Sequence, residues 1–227
     1  MRPVLVILLA LSSTALASGP LHFEREKIGT GTYEAASAFD INNNGIIDIF
    51  SGAYWYEGPD FNTAHKVCHL ESIDSYYDDF SNYPMDVNGD GYVDIVTGGY
   101  FGKTLSWREN PKGQSVEWTT RVIAETGSIE RAVFYDINGD GFPEIFPVTS
   151  PVYIFRLVRD EEGKGTGEFE QYTINKGTGG HGFGCGDING DGRPDIVLAG
   201  GWLEAPENPF DTEAWTLHPE FELGSAS

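Results

Sequence analysis

One ten-residue pattern occurs four times in this chain and constrains the fold more than any other feature. The pattern is Asp-[Ile/Val]-Asn-x-[Asn/Asp]-Gly-x-x-[Asp/Glu]-Ile, and its copies begin at Asp40, Asp86, Asp136 and Asp187. Successive copies start 46, 50 and 51 residues apart. Such regular spacing is typical of a structural repeat. The chain is therefore expected to fold as an array of similar units.

Each copy is rich in side-chain oxygens at positions 1, 3, 5 and 9, with glycine at position 6. Ca²⁺ binds about six to eight oxygen ligands, and alternate residues of a tight loop can supply several of them. Asp and Asn are also common turn formers, but an acid at position 9 in all four copies favours a metal loop. The predicted ligands are Asp40, Asn42, Asn44, Asp48, Asp86, Asn88, Asp90, Asp94, Asp136, Asn138, Asp140, Glu144, Asp187, Asn189, Asp191 and Asp195. The first loop has only two carboxylates and is expected to bind Ca²⁺ most weakly.

An EF-hand begins with a similar loop but requires an acid at position 12 and flanking helices. Position 12 is Ser51, Thr97, Pro147 and Leu198 in the four copies. The segments that follow are rich in β-branched and aromatic residues, which indicates strands. Each period of about 50 residues contains three to four short strands, as in a β-propeller blade. The prediction is an all-β propeller of antiparallel blades with calcium loops.

Charge and the N-terminal segment indicate an exported protein. The formal net charge is −21, and 11 of the 35 acidic residues lie in the four loops. An acidic chain with no basic stripe is not expected to bind nucleic acid. Residues 1–17 combine a basic start, an apolar run and an Ala-Leu-Ala cleavage signal, so they are predicted to be a signal peptide. The apolar run is too short to span a bilayer, and we expect a secreted or periplasmic protein.

The two cysteines leave a disulfide open. An oxidising compartment would permit a bond between Cys68 and Cys185. Cys185 lies two residues before a loop aspartate, where other repeats have Ala38, Pro84 and Phe134. This register favours a buried free thiol.

Several longer strings add a resemblance to a known family. The repeated loop followed by a strand resembles the FG-GAP/VCBS repeat proteins, whose repeats form calcium-binding propeller blades. SGAYWYEGPDF, YYDDFSNYPMDVNGDG, KTLSWRENP, HGFGCGDINGDGRPDI and WTLHPEFELGSAS are similar to the propeller of aldos-2-ulose dehydratase-like proteins. The resemblance implies that residues 18–227 form four blades of a seven-bladed propeller. A closed four-bladed ring is the alternative.

Four residues are candidates for a site at the mouth of the propeller channel. Counting six residues back from each loop aspartate gives Glu34, Phe80, Glu130 and His181, with Asp79 beside Phe80. Radial repetition would bring Glu34, Asp79, Glu130 and His181 together opposite the calcium loops. They could bind a further divalent metal or act as acid and base on a sugar. The alternative is a rim of unrelated polar residues. A sugar-binding surface is also considered at Tyr33, Tyr76, Tyr77, Trp107 and Arg108.

Two functional classes follow. The first is a non-catalytic binding scaffold for a carbohydrate or a protein. The second is a sugar lyase that acts at the channel mouth, as the dehydratase resemblance implies. The dehydratases also carry cupin domains, whose His and Glu motifs are not found in this sequence, so the scaffold is the favoured expectation.

Overall fold

The computed structural model describes residues 22–177, 179–180 and 182–221. The predicted signal peptide and His181 lie outside these residues. The described residues form four four-stranded antiparallel sheets, and no helix among them is long and apolar enough to cross a membrane. Sheet 1 consists of β1 (Ser37–Phe39), β2 (Asp48–Ser51), β3 (Tyr54–Glu57) and β4 (Thr63–Lys66), followed by a hairpin of β5 (Ser72–Ile73) and β6 (Tyr76–Tyr77).

The other sheets repeat this order along the chain. Sheet 2 consists of β7 (Tyr83–Met85), β8 (Asp94–Gly98), β9 (Thr104–Glu109) and β10 (Thr119–Glu125). Sheet 3 consists of β11 (Ala132–Tyr135), β12 (Glu144–Pro147), β13 (Val152–Arg159) and β14 (Gly165–Ile174). Sheet 4 consists of β15 (Gly184–Gly186), β16 (Asp195–Leu198), β17 (Gly201–Glu204) and β18 (Thr216–His218). Each sheet is a meander in which consecutive strands are hydrogen-bonded.

The repeated acidic loops connect the first and second strands of every sheet. Position 9 of each loop begins the second strand and pairs with the residue before position 1. The pairs are Phe39 with Asp48, Met85 with Asp94, Tyr135 with Glu144, and Gly186 with Asp195. The sequence repeat thus corresponds to one hairpin register used four times.

Apolar residues pack between neighbouring sheets. Phe50 and Trp55 of sheet 1 share a buried cluster with Ile95 of sheet 2. The next cluster joins sheets 2 and 3, and the third joins sheets 3 and 4. Trp55, Trp107 and Trp202 are all buried, with exposures of 2%, 4% and 6%. These tryptophans therefore serve packing.

Each of the first two loops is also held by the next sheet. The Asn110 side-chain amide at the end of β9 donates to the carbonyl of Ile41 in the first loop at 2.9 Å. The Gly167 amide of β14 donates to the carbonyl of Val87 in the second loop at 2.8 Å. The outer part of one repeat therefore supports the loop of the repeat before it.

The all-β prediction is confirmed, with antiparallel four-stranded sheets, but a closed propeller is not found. None of the three buried clusters joins sheet 1 to sheet 4 within the described part of the chain. The number of blades in a complete ring remains a prediction.

Candidate functional site

The carboxylate at position 1 organises each acidic loop. In the second loop, Asp86 accepts hydrogen bonds from the backbone amides of Asp90 at 3.1 Å and Gly91 at 3.0 Å. The other three loops have the same pair of bonds. The turn requires a left-handed residue at position 6, where Gly91 has a φ of +86°. Glycine adopts this conformation without a Cβ clash.

Positions 3 and 5 continue the same arrangement. Asn88 Oδ1 accepts a hydrogen bond from the Asp90 amide at 3.1 Å, and Asp90 Oδ1 accepts one from the Tyr92 amide at 2.9 Å. Both contacts recur in the other loops. Side-chain oxygens of positions 1, 3 and 5 are therefore all held by the backbone amides of one tight turn.

Position 9 has a different environment from the other predicted ligands. Asp94 is completely buried and accepts the amides of Val87 at 2.9 Å and Asn110 at 2.7 Å. Asp48 likewise accepts the amides of Ile41 at 2.9 Å and Gly58 at 2.8 Å. Burial is the main cause that raises the pKa of Asp94 to about 7. Position 9 therefore cross-links the loop to the end of the third strand.

The remaining two position 9 acids are similar. Asp195 is completely buried and accepts the amides of Ile188 and Ala205, both at 2.9 Å. Glu144 accepts the amide of Ile137 at 3.1 Å, and burial raises its pKa to about 7.

A basic side chain lies beside position 5 in three loops. Lys112 Nζ is 3.7 Å from Asp90, and an Arg156 nitrogen is 3.4 Å from Asp140. Arg193 contacts Asp191 in the fourth loop. Position 5 of the first loop is Asn44, which carries no charge to be paired. The loops therefore differ in local charge as well as in carboxylate number.

A glutamate that was not singled out from the sequence orients position 3 in two loops. Glu109 accepts a hydrogen bond from the Asn88 side-chain amide at 3.4 Å and pairs with Arg121 at 2.6 Å. In sheet 4, Glu204 accepts from Asn189 at 3.3 Å and contacts His218 at 2.7 Å. The sequence signal was a Trp-x-Glu triplet, which occurs as WYE, WRE and WLE in β3, β9 and β17. Each triplet lies in the third strand of its sheet, whereas the loop precedes the second strand.

The loops suit a hard cation in the chemistry of their oxygens. Asp, Asn and backbone carbonyl oxygens are the ligands that Ca²⁺ takes in proteins. In the described residues, no three His, Cys, Asp or Glu side chains are grouped so that they alone could hold a metal. Such a group is not expected in these loops, because position 3 supplies an amide oxygen and the acid at position 9 is buried and accepts backbone amides. Two carboxylates and one amide would need backbone carbonyls and water to complete the coordination.

The predicted channel residues are only partly brought together. Glu34 and Glu130 line one cavity of about 480 Å³, together with Tyr76, Phe80, Tyr100 and Phe101. We call this cavity the aromatic cleft. Glu34, Phe80 and Glu130 precede β1, β7 and β11, so the cleft lies at the ends of these strands away from the acidic loops.

Asp79 does not line the cleft, contrary to expectation. It is 1% exposed and pairs with the buried guanidinium of Arg108 at 2.7 Å. Its carboxylate also accepts from the Thr97 hydroxyl at 2.9 Å and the Asn82 amide at 3.0 Å. Asp79 is a structural residue of sheet 2, and a site there cannot include it without breaking this network.

The neighbouring Asp78 holds the aromatic turn in place. Its carboxylate accepts the backbone amides of Phe101 at 2.9 Å and Gly102 at 2.8 Å. A Cβ on Gly99 would lie 2.8 Å from the same carboxylate. The turn that carries Tyr100 and Phe101 is therefore fixed by close backbone packing on Asp78.

The predicted sugar-binding aromatics separate into two groups. Tyr76 lines the aromatic cleft and is 50% exposed. Tyr33 and Tyr77 contact each other, with ring centroids 4.7 Å apart. Trp107 and Arg108 are buried, so the suggestion that they offer a sugar-binding surface is wrong.

The two cysteines are free. Cys185 packs against the cluster between sheets 3 and 4, and burial raises the pKa of its thiol to about 12. Cys185 is thus a free thiol, as expected, but its side chain is only partly buried.

Comparison with known proteins identifies the repeats. Residues 86–146 and 151–198 match the family described as FG-GAP-like repeat. The crystal structure of the V. cholerae biofilm matrix protein Bap1 has 18% sequence identity and a TM-score of 0.38, with 74% of this chain covered. The aligned part spans only 28% of that chain. No curated protein matches the chain. The matched family shows that the chain contains FG-GAP-like repeats.

Proposed function

We propose that the chain is an exported, calcium-stabilised binding module that recognises carbohydrate at the aromatic cleft. The observation that carries the calcium part of the proposal is the fourfold loop geometry, in which side-chain oxygens of positions 1, 3 and 5 all accept backbone amides of one tight turn. In the second, third and fourth loops the carboxylates of positions 1 and 5 are held on the same turn, and their mutual repulsion costs stability in the absence of a cation. A bound Ca²⁺ would offset that repulsion.

The aromatic cleft supports a binding role at the other end of the strands. Its volume of about 480 Å³ is in the range of small-ligand sites. Exposed aromatic rings provide flat apolar faces and carboxylates provide hydrogen-bond acceptors. Such a combination suits a sugar ring, which has both apolar faces and hydroxyl donors. A protein partner is the other class of ligand that the scaffold would suit.

The calcium part is tested by thermal melting in chelator and in excess Ca²⁺. Binding only to the folded state would add about 2.7 kcal/mol per loop at about 100-fold saturation. Asp86→Asn keeps the side-chain shape but removes one charge and one of the two oxygens that accept the Asp90 and Gly91 amides, so the variant is judged by its calcium-induced change in Tm and not by its Tm alone. We expect the calcium-induced rise in Tm to be smaller for this variant than for the unmodified chain. The rise should be the same as in the unmodified chain for Glu168→Gln, which is exposed on β14. Equal melts with and without Ca²⁺ would contradict the proposal.

The ligand part is tested on a glycan array in the presence of Ca²⁺. Retention of oligosaccharides that is lost in Tyr100→Ala would support carbohydrate binding at the cleft. Conversion of a bound sugar derivative with loss of water would instead identify the lyase.

A further inference from the structure

We propose that a cavity between sheets 1 and 2 binds a small neutral amide, whose oxygen accepts hydrogen bonds from Arg108. The cavity has a volume of about 470 Å³ and is distinct from the aromatic cleft, although Phe101 lines both. We call it the hydroxyl pocket, because Thr97, Thr104, Ser106 and Thr120 line it together with Arg108. This site goes beyond the proposed binding of calcium and carbohydrate and depends on neither.

Arg108 occupies a position that is apolar in the two following sheets. It pairs with Ile95, the isoleucine at position 10 of the second repeat. The residues that pair with the same isoleucine in sheets 3 and 4 are Phe155 and Leu203, and both belong to buried apolar clusters. Arg108 is also buried, at 3% exposure. A cation in the place of a core hydrophobe departs from the repeat pattern, and such departures are expected at functional sites.

The polar side chains of the hydroxyl pocket share one face of sheet 2. Ser106 and Arg108 alternate along β9 with residues of the apolar cluster between sheets 2 and 3, so they face the other way, towards sheet 1. Thr97 of β8 pairs with Ser106, and Thr120 of β10 pairs with Arg108. The strand register therefore places these four side chains next to one another.

The hydroxyls of the pocket have hydrogen-bonding capacity to spare. Within the described residues, the hydroxyls of Ser106 and Thr104 make one hydrogen bond, to each other, at 3.5 Å. The Thr120 hydroxyl makes none within the same part of the chain. A hydroxyl can both donate and accept, so these groups can serve a ligand that carries an N–H as well as a C=O.

The guanidinium of Arg108 is held in place but keeps an unpaired donor. Asp79 accepts from its Nη1 at 2.7 Å, and Thr97 and Asn82 fix Asp79 in turn. That is the one side-chain hydrogen bond of Arg108 to the described residues, and its buried Nε has no partner there. Nε lies on the same edge of the guanidinium as Nη2, so this edge can donate two bonds. An unpaired buried donor costs free energy, which an acceptor oxygen of a ligand would recover.

The charges around the pocket favour a neutral ligand. Asp79 already balances Arg108, and Glu71 and Asp78 add two further carboxylates to the lining, in which His69 is the one other ionisable base among the described residues. These acids would repel a carboxylate ligand. An ammonium ligand, which has donors and no acceptor, would leave Arg108 unpaired.

The pocket also has apolar lining for the rest of the ligand. Leu70 and Ile73 come from the segment that follows sheet 1, and Phe101 comes from the turn held by Asp78. A flat apolar body can pack on these side chains while its amide reaches the hydroxyls and Arg108. The volume of the pocket is that of a small-molecule site, which suits an aromatic ring with one polar group.

The test uses three probes of similar size, benzamide, benzoate and benzylamine, titrated into the isotope-labelled full chain in Ca²⁺ and followed by NMR. At neutral pH they present a neutral amide, an anion and a cation. We expect benzamide to bind about tenfold or more tightly than either of the others, as one hydrogen bond to a charged group implies. The backbone amide signals of Thr104, Ser106 and Thr120 should shift on binding.

Variants on the two faces of β10 locate the site. Thr120→Val and Ser106→Ala should each weaken benzamide binding about threefold or more, because each removes a hydroxyl of the pocket. Thr119→Val is the matched control, since Thr119 is exposed on the opposite face of the same strand. This control and Tyr100→Ala in the aromatic cleft should leave benzamide binding unchanged.

Each other outcome overturns the inference. Benzoate or benzylamine binding as tightly as benzamide would refute selection of a neutral amide. Equal weakening by Thr119→Val, or by Tyr100→Ala, would place the probe outside the hydroxyl pocket. If none of the probes shifts the three backbone signals, the pocket holds only water and the inference is wrong. The proposed function stands apart from these results, because it is judged by the calcium-induced rise in Tm and by the glycan array.

Discussion

The position 9 carboxylates can be tested as structural cross-links that act without metal. Asp94→Ala would leave the buried amides of Val87 and Asn110 without their acceptors. Each unsatisfied buried group costs about 1–3 kcal/mol, so we expect a loss of roughly 2–6 kcal/mol. For a domain of this size, that corresponds to a fall in Tm of at least about 4 °C. Melting in chelator, followed by circular dichroism, measures this loss.

Two further variants complete the experiment. Asp48→Ala should cost about the same as Asp94→Ala in chelator, because Asp48 accepts two amides at similar distances. In Ca²⁺, Asp94→Ala should become the more costly change, since the first loop already has fewer carboxylates. In chelator, Asp90→Asn is the matched control and should leave Tm unchanged, because its retained oxygen can still accept the Tyr92 amide. If Asp94→Ala lowers Tm only when Ca²⁺ is present, position 9 is a metal ligand and the cross-link interpretation fails.

Four other outcomes follow from the structure. Arg156→Gln should raise the calcium affinity of the third loop severalfold, because it removes a competing cation near Asp140; a calcium titration checks this, and unchanged affinity would contradict it. His65 lies beside a Trp and a Glu, and the analogous position in sheet 2 is an arginine that also lies beside a Trp and a Glu. His65→Arg should therefore keep Tm within about 2 °C, whereas His65→Ala should lower it. Breaking the buried pair by Asp79→Ala should cost about 3–5 kcal/mol in urea unfolding, and a surface-like loss below about 1 kcal/mol would refute its structural role. The unjoined faces of sheets 1 and 4 should cause self-association, which light scattering measures as a mass above that of one chain.

The repeats and their strands could be predicted because their signals are local. Side-chain oxygens at alternate positions, a glycine at position 6 and a following β-branched run all lie within about a dozen residues. The register of the four hairpins follows from the same segment. Contacts of Glu109 and Glu204 were missed because their partners Arg121 and His218 lie on the next strand.

The channel residues show where spacing alone is insufficient. Equal offsets from the loops placed Glu34 and Glu130 correctly near one cavity. At this offset the second repeat has Phe80, which also lines the cleft, whereas Asp79, one residue earlier, is buried against Arg108. Asp78 supports the aromatic turn through the Phe101 and Gly102 amides. The partner of Asp79, Arg108, lies 29 residues further along the chain, so spacing from the loop does not reveal the pair.

The support that sheets 2 and 3 give to the loops before them has a consequence for the proposed binding of Ca²⁺. Asn110 touches the first loop through Ile41, and Gly167 touches the second through Val87. An ion that orders one loop would therefore also order the surface on which the following repeat packs. This couples the ion-binding equilibria of adjacent repeats. Calcium uptake should then be cooperative, with a Hill coefficient above one. The coupling is reciprocal, but the contacts that carry it are ordered along the chain: damage to the outer strands of one repeat removes support from the loop of the repeat on its N-terminal side.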